Sequence, residues 1–359
     1  MKKIFISIVA LAAIAACSKT EVQYENSAEI GFAPVVKNVT KAAMTGDLLT
    51  ANPDQELGIW AYWNYLDGSP TDDGHSQLYL DNVAFKGKNI SYTSNNITTS
   101  GYFWAGVNYA YPWPANGTLR FAGYTIPTSA GENFEVTYSG VVGEGGDVLT
   151  FSNYVHAMGY DLCWFGATAE VNNKNVAGKA VEVTLSHALS WLSFTVKGDG
   201  TTATGWKITK IELNDIANKG TGTCSSSDVN WSSNEYSEDY TLYDDPIGIE
   251  LTADAQNIEL DDNGNTADEF VVLPQEINKA DNEGNRVGTH SLAITYSFPV
   301  GTVWKTDKKV ITLDLGAEDA EWKAGIHYTY NITLKSNEIL ITPTYGTWND
   351  AQNQGVTVE

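Results

Sequence analysis

Beyond residue 16 the apolar residues of this chain recur every second position rather than at helical spacing. Leu292, Ile294, Tyr296 and Phe298 alternate with other residues, as do Tyr328, Tyr330, Ile332 and Leu334, and so do Val181, Val183 and Leu185. A period of two places all of a run's apolar side chains on one face of an extended strand. Similar signals cover residues 57–63, 102–104, 119–124, 191–196, 208–213, 269–273 and 339–341. Gly, Asn and Asp clusters separate them, and Pro112, Pro114 and Pro274 punctuate where a central ladder would need a donor. The expected fold class is all-β, built as β-sandwiches. At 359 residues the chain has room for two of them. The expected division is 29–178 and 179–359, because a second block of strand signals begins near residue 178.

The N-terminus sets the compartment. Lys2 and Lys3 precede an apolar stretch over residues 4–16, which falls short of the ~20 residues of a membrane-spanning helix. It reads as a signal peptide, residues 1–16. The small residues Ala15 and Ala16 before Cys17 form the pattern of a lipoprotein cleavage site, cut between Ala16 and Cys17 with Cys17 lipidated. Acyl chains on Cys17 would anchor the protein, at ~0.8 kcal/mol per buried methylene. Residues 17–28 are polar and read as a tether.

Charge and motifs narrow the chemistry. With 21 Lys and Arg against 44 Asp and Glu, the net charge of −23 excludes a nucleic-acid binder, which needs clustered cations. No HExxH, GxSxG or P-loop occurs, so no catalytic residue, cofactor or metal is assigned, and the chain is expected not to be an enzyme. His187 ends an apolar strand and reads as a satisfied core histidine. Asp261-Asp262-Asn263-Gly264-Asn265 opens a run without the sixth-position glycine and the twelfth-position acid of a calcium loop, and reads as a solvated turn. Cys163 and Cys224 could pair in an oxidising compartment or stay as buried thiols. Two aromatic clusters, Trp60 to Tyr65 and Trp104 to Trp113, suit either sandwich packing or sugar stacking. Alternation sends Trp60 and Tyr62 to the face opposite Ala61 and Trp63, so they cannot form one platform.

Several motifs, in order along nearly the whole chain, carry a resemblance. They are Glu29-Ile30-Gly31-Phe32 with Val39-Thr40-Lys41-Ala42, Tyr111-Pro112-Trp113-Pro114 with Phe121-Ala122-Gly123-Tyr124, and His187-Ala188-Leu189-Ser190 with Phe194. Val272-Leu273-Pro274-Gln275, the run Trp322 to Ile332 and the closing Trp348 complete the set. The chain resembles the fimbrillin-like (Mfa-like) lipoproteins of Bacteroides-type bacteria. The resemblance implies two transthyretin-like Greek-key β-sandwich domains and a place in surface fimbriae. In polymerising members a protease removes the N-terminal segment with its first strand, and a strand from another subunit fills the groove.

The resemblance implies an outer-membrane lipoprotein, palmitoylated at Cys17, whose partners are other fimbrial subunits and a host or bacterial surface ligand. One departure bears on processing. Where the family often has Thr-Arg-Ala, this chain has Thr40-Lys41-Ala42. An arginine-specific protease would not cut there. A lysine-cleaving protease would cut between Lys41 and Ala42, or the segment stays and the chain acts as an anchor or accessory subunit. Val356 and Val358 alternate in a C-terminal tail that reads as either a donor strand or a plain tail. The alternative function is a surface glycan-binding lipoprotein that never polymerises.

Overall fold

The structure is a computed structural model that describes residues 29–36, 55–65, 75–94, 97–127, 131, 133–140, 147–156, 161–172, 180–225, 228–232, 237–258, 270–280, 286–288, 290–313, 321–336, 338–347 and 356–357. Every regular element among the described residues is a β-strand. Seven of them close a barrel: β1 (Gly31–Val36), β2 (Glu56–Tyr65), β3 (His75–Ser94), β4 (Ile97–Gly106), β5 (Thr118–Ile126), β8 (Cys163–Phe165) and β9 (Val181–His187). Their order is β1-β4-β3-β2-β5-β8-β9, with β9 returning to β1. All neighbours are antiparallel except β1 and β9, which run parallel with Phe32 opposite Val181 and Val36 opposite Leu185. Closure removes the open edges that an isolated sheet would leave.

Alternation decides what each barrel strand faces. Leu57, Ile59 and Ala61 of β2 and Val181, Val183 and Leu185 of β9 fill the interior. Trp60, from the opposite face of β2, packs outward with Tyr124 and Trp164 against a second sheet. That sheet runs β13-β12-β7-β6, from β6 (Glu135–Ser139), β7 (Val148–Val155), β12 (Lys219–Ser225) and β13 (Asp228–Ser232). Phe151 and Tyr154 of β7 face Trp60 and Trp164 across this second core. Strands from either side of residue 178 thus interleave: β9 closes the barrel, and β12 pairs with β7.

The remaining strands build a sandwich. One layer contains β10 (Ser190–Gly198), β15 (Gln256–Asn257), β16 (Phe270–Val272), β23 (Ile326–Leu334), β24 (Ile339–Thr347) and β25 (Val356–Thr357). The other runs β14-β11-β20-β21, from β11 (Lys207–Ala217), β14 (Ser237–Glu250), β20 (Ser291–Val300) and β21 (Val303–Thr312). Between them lie Phe194 and Val196, Tyr328 to Leu334, Ile208 to Leu213, and Leu292 to Tyr296, each taken from the inward face of its strand. Two short ribbons, β17 (Gln275–Glu276) with β22 (Glu321–Trp322) and β18 (Asn278–Ala280) with β19 (Arg286–Gly288), complete the set.

The Leu273-Pro274-Gln275 motif has a physical role here. The buried Gln275 amide donates to the carbonyls of Ala217 (3.2 Å) and Leu273 (2.9 Å), and its oxygen accepts from the Ala217 N–H (2.9 Å). Proline ends β16, and the glutamine satisfies the backbone groups that the end of β11 leaves over. Gln275→Ala is expected to cost about 2 kcal/mol, because it leaves buried backbone groups unpaired. Urea unfolding of the full chain measures it, with an unchanged slope.

Two histidines make folding acid-sensitive. His327 stacks on Trp191 with ring centroids 3.5 Å apart and meets Ser193 Oγ at 2.8 Å. His156 is sealed beside the Val271 backbone. Burial lowers both to about 4, against an unfolded value of ~6.5. Between those values the unfolded chain binds more protons, so stability is full above pH ~6.5 and is lost as the pH falls towards 4. The loss is on the order of 3 kcal/mol per histidine. A thermal midpoint that is flat above pH 7 and falls steeply below 6.5 is the expected result, with a shallower fall in His327→Gln.

Candidate functional site

β1 closes the barrel at a seam between β4 and β9. Phe32 is fully buried and meets Phe85 at 4.9 Å and Phe121 at 5.0 Å, edge-on to both at 88°. Three aromatic edges and faces in this arrangement add to plain burial. The start of β1 is held by the Tyr111-Pro112-Trp113 segment. The Ile30 N–H donates to the Tyr111 carbonyl (2.7 Å), and Trp113 Nε1 donates to the Glu29 carbonyl (3.0 Å). Trp113 also stands edge-on to Phe121, 6.1 Å away. On the antiparallel side β1 pairs with β4 at Gly31 and Phe32, and on the parallel side with β9 along residues 181–185. Phe32 of β1 shares one core cluster with Phe85, Phe121, Val181, Val183 and Leu185.

At the end of the inward row of β9 the chemistry changes. His187 and Cys163 are direct cross-strand partners, and Asp161 precedes β8 by two residues. His187 Nδ1 donates to Asp161 Oδ2 at 2.6 Å, and the Cys163 thiol donates to the same oxygen at 3.3 Å. Sγ and Nδ1 are 3.6 Å apart. All three residues are buried. Burial pushes the Cys163 thiol up, and the Asp161 charge adds to it. Asp161 Oδ1 and the Tyr154 hydroxyl are buried with no hydrogen-bond partner. Thr125 Oγ1 accepts from the Cys163 N–H (2.8 Å) and donates to the Cys163 carbonyl (3.2 Å), fixing the backbone beneath the thiol.

The residues singled out in the sequence fall in three places. Ala16, Cys17, Lys41, Ala42 and Val358 lie outside the described residues, as does the Asp261 to Asn265 turn. Val356 opens β25, whose backbone pairs antiparallel with β24, Tyr345 opposite Val356 and Thr344 opposite Thr357. Cys163 and Cys224 are free buried thiols, one in the barrel core and the other in the second core. Sequence reasoning kept His187 as a core residue and assigned nothing to Asp161. The available signals were the same-face spacing of Asp161 and Cys163 and a histidine ending an apolar row; the register that joins them is not local.

Most of the large aromatics in these clusters serve packing. Trp60 and Trp104 are buried, with Trp60 Nε1 on Asp81 (3.1 Å) and Trp104 Nε1 on the Gln55 carbonyl (3.0 Å). Trp63 Nε1 donates to the Asn116 carbonyl (2.8 Å). Tyr109 is exposed, and its ring stands at 74° to Tyr111.

The fimbrillin-like family model matches residues 40–348, a span that begins one residue before Lys41 and leaves β1 outside. Among solved structures, a fimbrial protein from Bacteroides vulgatus is similar at 19% identity and a TM-score of 0.49, over 89% of this chain and 99% of that one. A fimbrial assembly protein from Parabacteroides distasonis is similar at 13% identity and a TM-score of 0.42, over 94% and 99%. No curated protein matches the chain.

Proposed function

The chain belongs to the fimbrillin-like family, and on that premise we propose that it is a cell-surface fimbrial subunit, exported as a lipid-anchored precursor, that assembles by β-strand exchange and serves adhesion. The observation that carries the reading is the seam at β1. A cut between Lys41 and Ala42 removes β1 together with the Cys17 anchor. The backbone of β9 along residues 181–185 then loses its parallel partner, and the apolar floor around Phe85 and Phe121 opens to water. An incoming strand that alternates apolar residues restores both the ladder and the burial. The C-terminal segment with Val356 and Val358 is the donor. Its pairing with β24 stores it on its own chain until another subunit offers a groove. The role is one of assembly, with no catalytic step.

The experiment is intact mass and N-terminal sequencing of the protein isolated from its own cell surface, with gels run with and without boiling in SDS. Expected is a new N-terminus at Ala42 and a ladder that survives SDS. An N-terminus at acylated Cys17 with no ladder overturns strand exchange.

A further inference from the structure

We propose that Asp161, Cys163 and His187 form a binding site for one zinc-class divalent cation. The three donor atoms, Oδ2, Sγ and Nδ1, lie within 4.8 Å of one another. A tetrahedral zinc centre, with bonds of ~2.0–2.3 Å, places its ligand atoms about 3.3–3.6 Å apart. The Cys163–Asp161 and Cys163–His187 separations, 3.3 and 3.6 Å, already meet that spacing. The Asp161–His187 separation of 2.6 Å is a hydrogen bond, and it opens by less than about 1 Å when the shared proton leaves.

Cys163 and His187 face each other across a barrel ladder, and Thr125 Oγ1 holds both the N–H and the carbonyl of Cys163. The mix of thiolate, imidazole and carboxylate suits zinc or cobalt rather than calcium or magnesium, which take all-oxygen shells. Charge closes as well. A carboxylate and a thiolate neutralise a dication, where an uncompensated buried ion would be costly.

A second observation points the same way. Asp161 Oδ1 is buried and unpartnered, and so is the hydroxyl of the fully buried Tyr154. Buried polar atoms of this kind are uncommon and call for a missing partner. The carboxylate that offers Oδ2 to the ion thus carries a second oxygen, Oδ1, with no competing partner. A cleft of about 610 Å³ lies against His187, lined also by Trp164, Asp228, Glu276, Glu321 and Lys323. Its three acidic residues outnumber its one lysine, which favours cations beside His187. A bound ion would cross-link β8 to β9, the strand on which β1 lies, and so stiffen one wall of the seam.

The test uses the purified full chain in detergent, stripped with a chelator and titrated with Co²⁺ alone. Expected is one equivalent bound, with a thiolate-to-cobalt charge-transfer band and d–d bands of tetrahedral intensity, both bleached by Zn²⁺. Cys163→Ser is expected to abolish the charge-transfer band and weaken zinc binding at least tenfold, while Cys224→Ser leaves both unchanged. A chain that binds no stoichiometric cobalt, or a band that survives Cys163→Ser, overturns the site. Should Cys163→Ser fail to fold, the wild-type chain decides the question. Zinc must protect Cys163, and not Cys224, from alkylation in mild denaturant, read by peptide mass. Equal labelling of Cys163 with and without zinc overturns the proposal.

Discussion

Phe32→Ala is expected to destabilise the barrel by about 3–5 kcal/mol, the range for emptying a fully buried aromatic site. Phe32 sits at the centre of the seam, with both of its ring contacts to phenylalanines of other strands. Neither Phe85 nor Phe121 can collapse into the space, because each is itself held on a barrel strand. The loss has two parts, the transfer of the ring back to water and the cavity that stays behind. A drop in thermal midpoint of roughly 10 °C follows for a domain of this size. The variant also bears on function. A first strand held less tightly leaves its groove more readily, so Phe32→Ala should be cut faster by a lysine-specific protease under native conditions. A loss under about 1 kcal/mol would mean that β1 is not an integral barrel strand.

His187→Ala is the second large effect, again about 3–5 kcal/mol, and its origin is electrostatic rather than volumetric. Asp161 has His187 at 2.6 Å and the Cys163 thiol at 3.3 Å, while its other oxygen has no partner. Removing the imidazole strands a carboxylate inside the barrel with one weak donor. The double variant His187→Leu with Asp161→Leu removes both partners together and should recover most of the loss, since an apolar pair leaves no unpaired charge. Denaturant unfolding of the wild type, His187→Leu, Asp161→Leu and the double variant forms the cycle that measures the coupling. Additive losses would mean that the pair does not act as a unit.

Strand identity was open to sequence reasoning because side-chain alternation is a local property of the backbone. Leu57, Ile59 and Ala61 face the barrel interior and Trp60 faces the second core, as a period of two demands. The same logic placed Tyr328 to Leu334 and Leu292 to Tyr296 on buried faces. The motifs that carried the resemblance also have structural reasons. Tyr111-Pro112-Trp113 clasps the start of β1, Phe121 packs on Phe32, and Gln275 caps the end of β11.

What stayed illegible is whatever depends on which strand lies beside which. The parallel partner of β1 is β9, far along the chain. Nothing in either segment names the other, because many alternating strands offer equivalent apolar faces. Closure of the N-terminal sheet into a barrel, and the crossing of β12 back to β7, follow from pairings of that kind. The Asp161, Cys163 and His187 cluster depends on them most, since a shift of one residue between β8 and β9 would turn the thiol and the imidazole to opposite faces. By itself, then, the sequence determined the all-β class, the inward and outward faces of its strands, and the family. Tertiary structure alone decided the seam at β1 and the buried polar cluster, because pairing and register are settled by packing over the whole chain rather than by any local pattern.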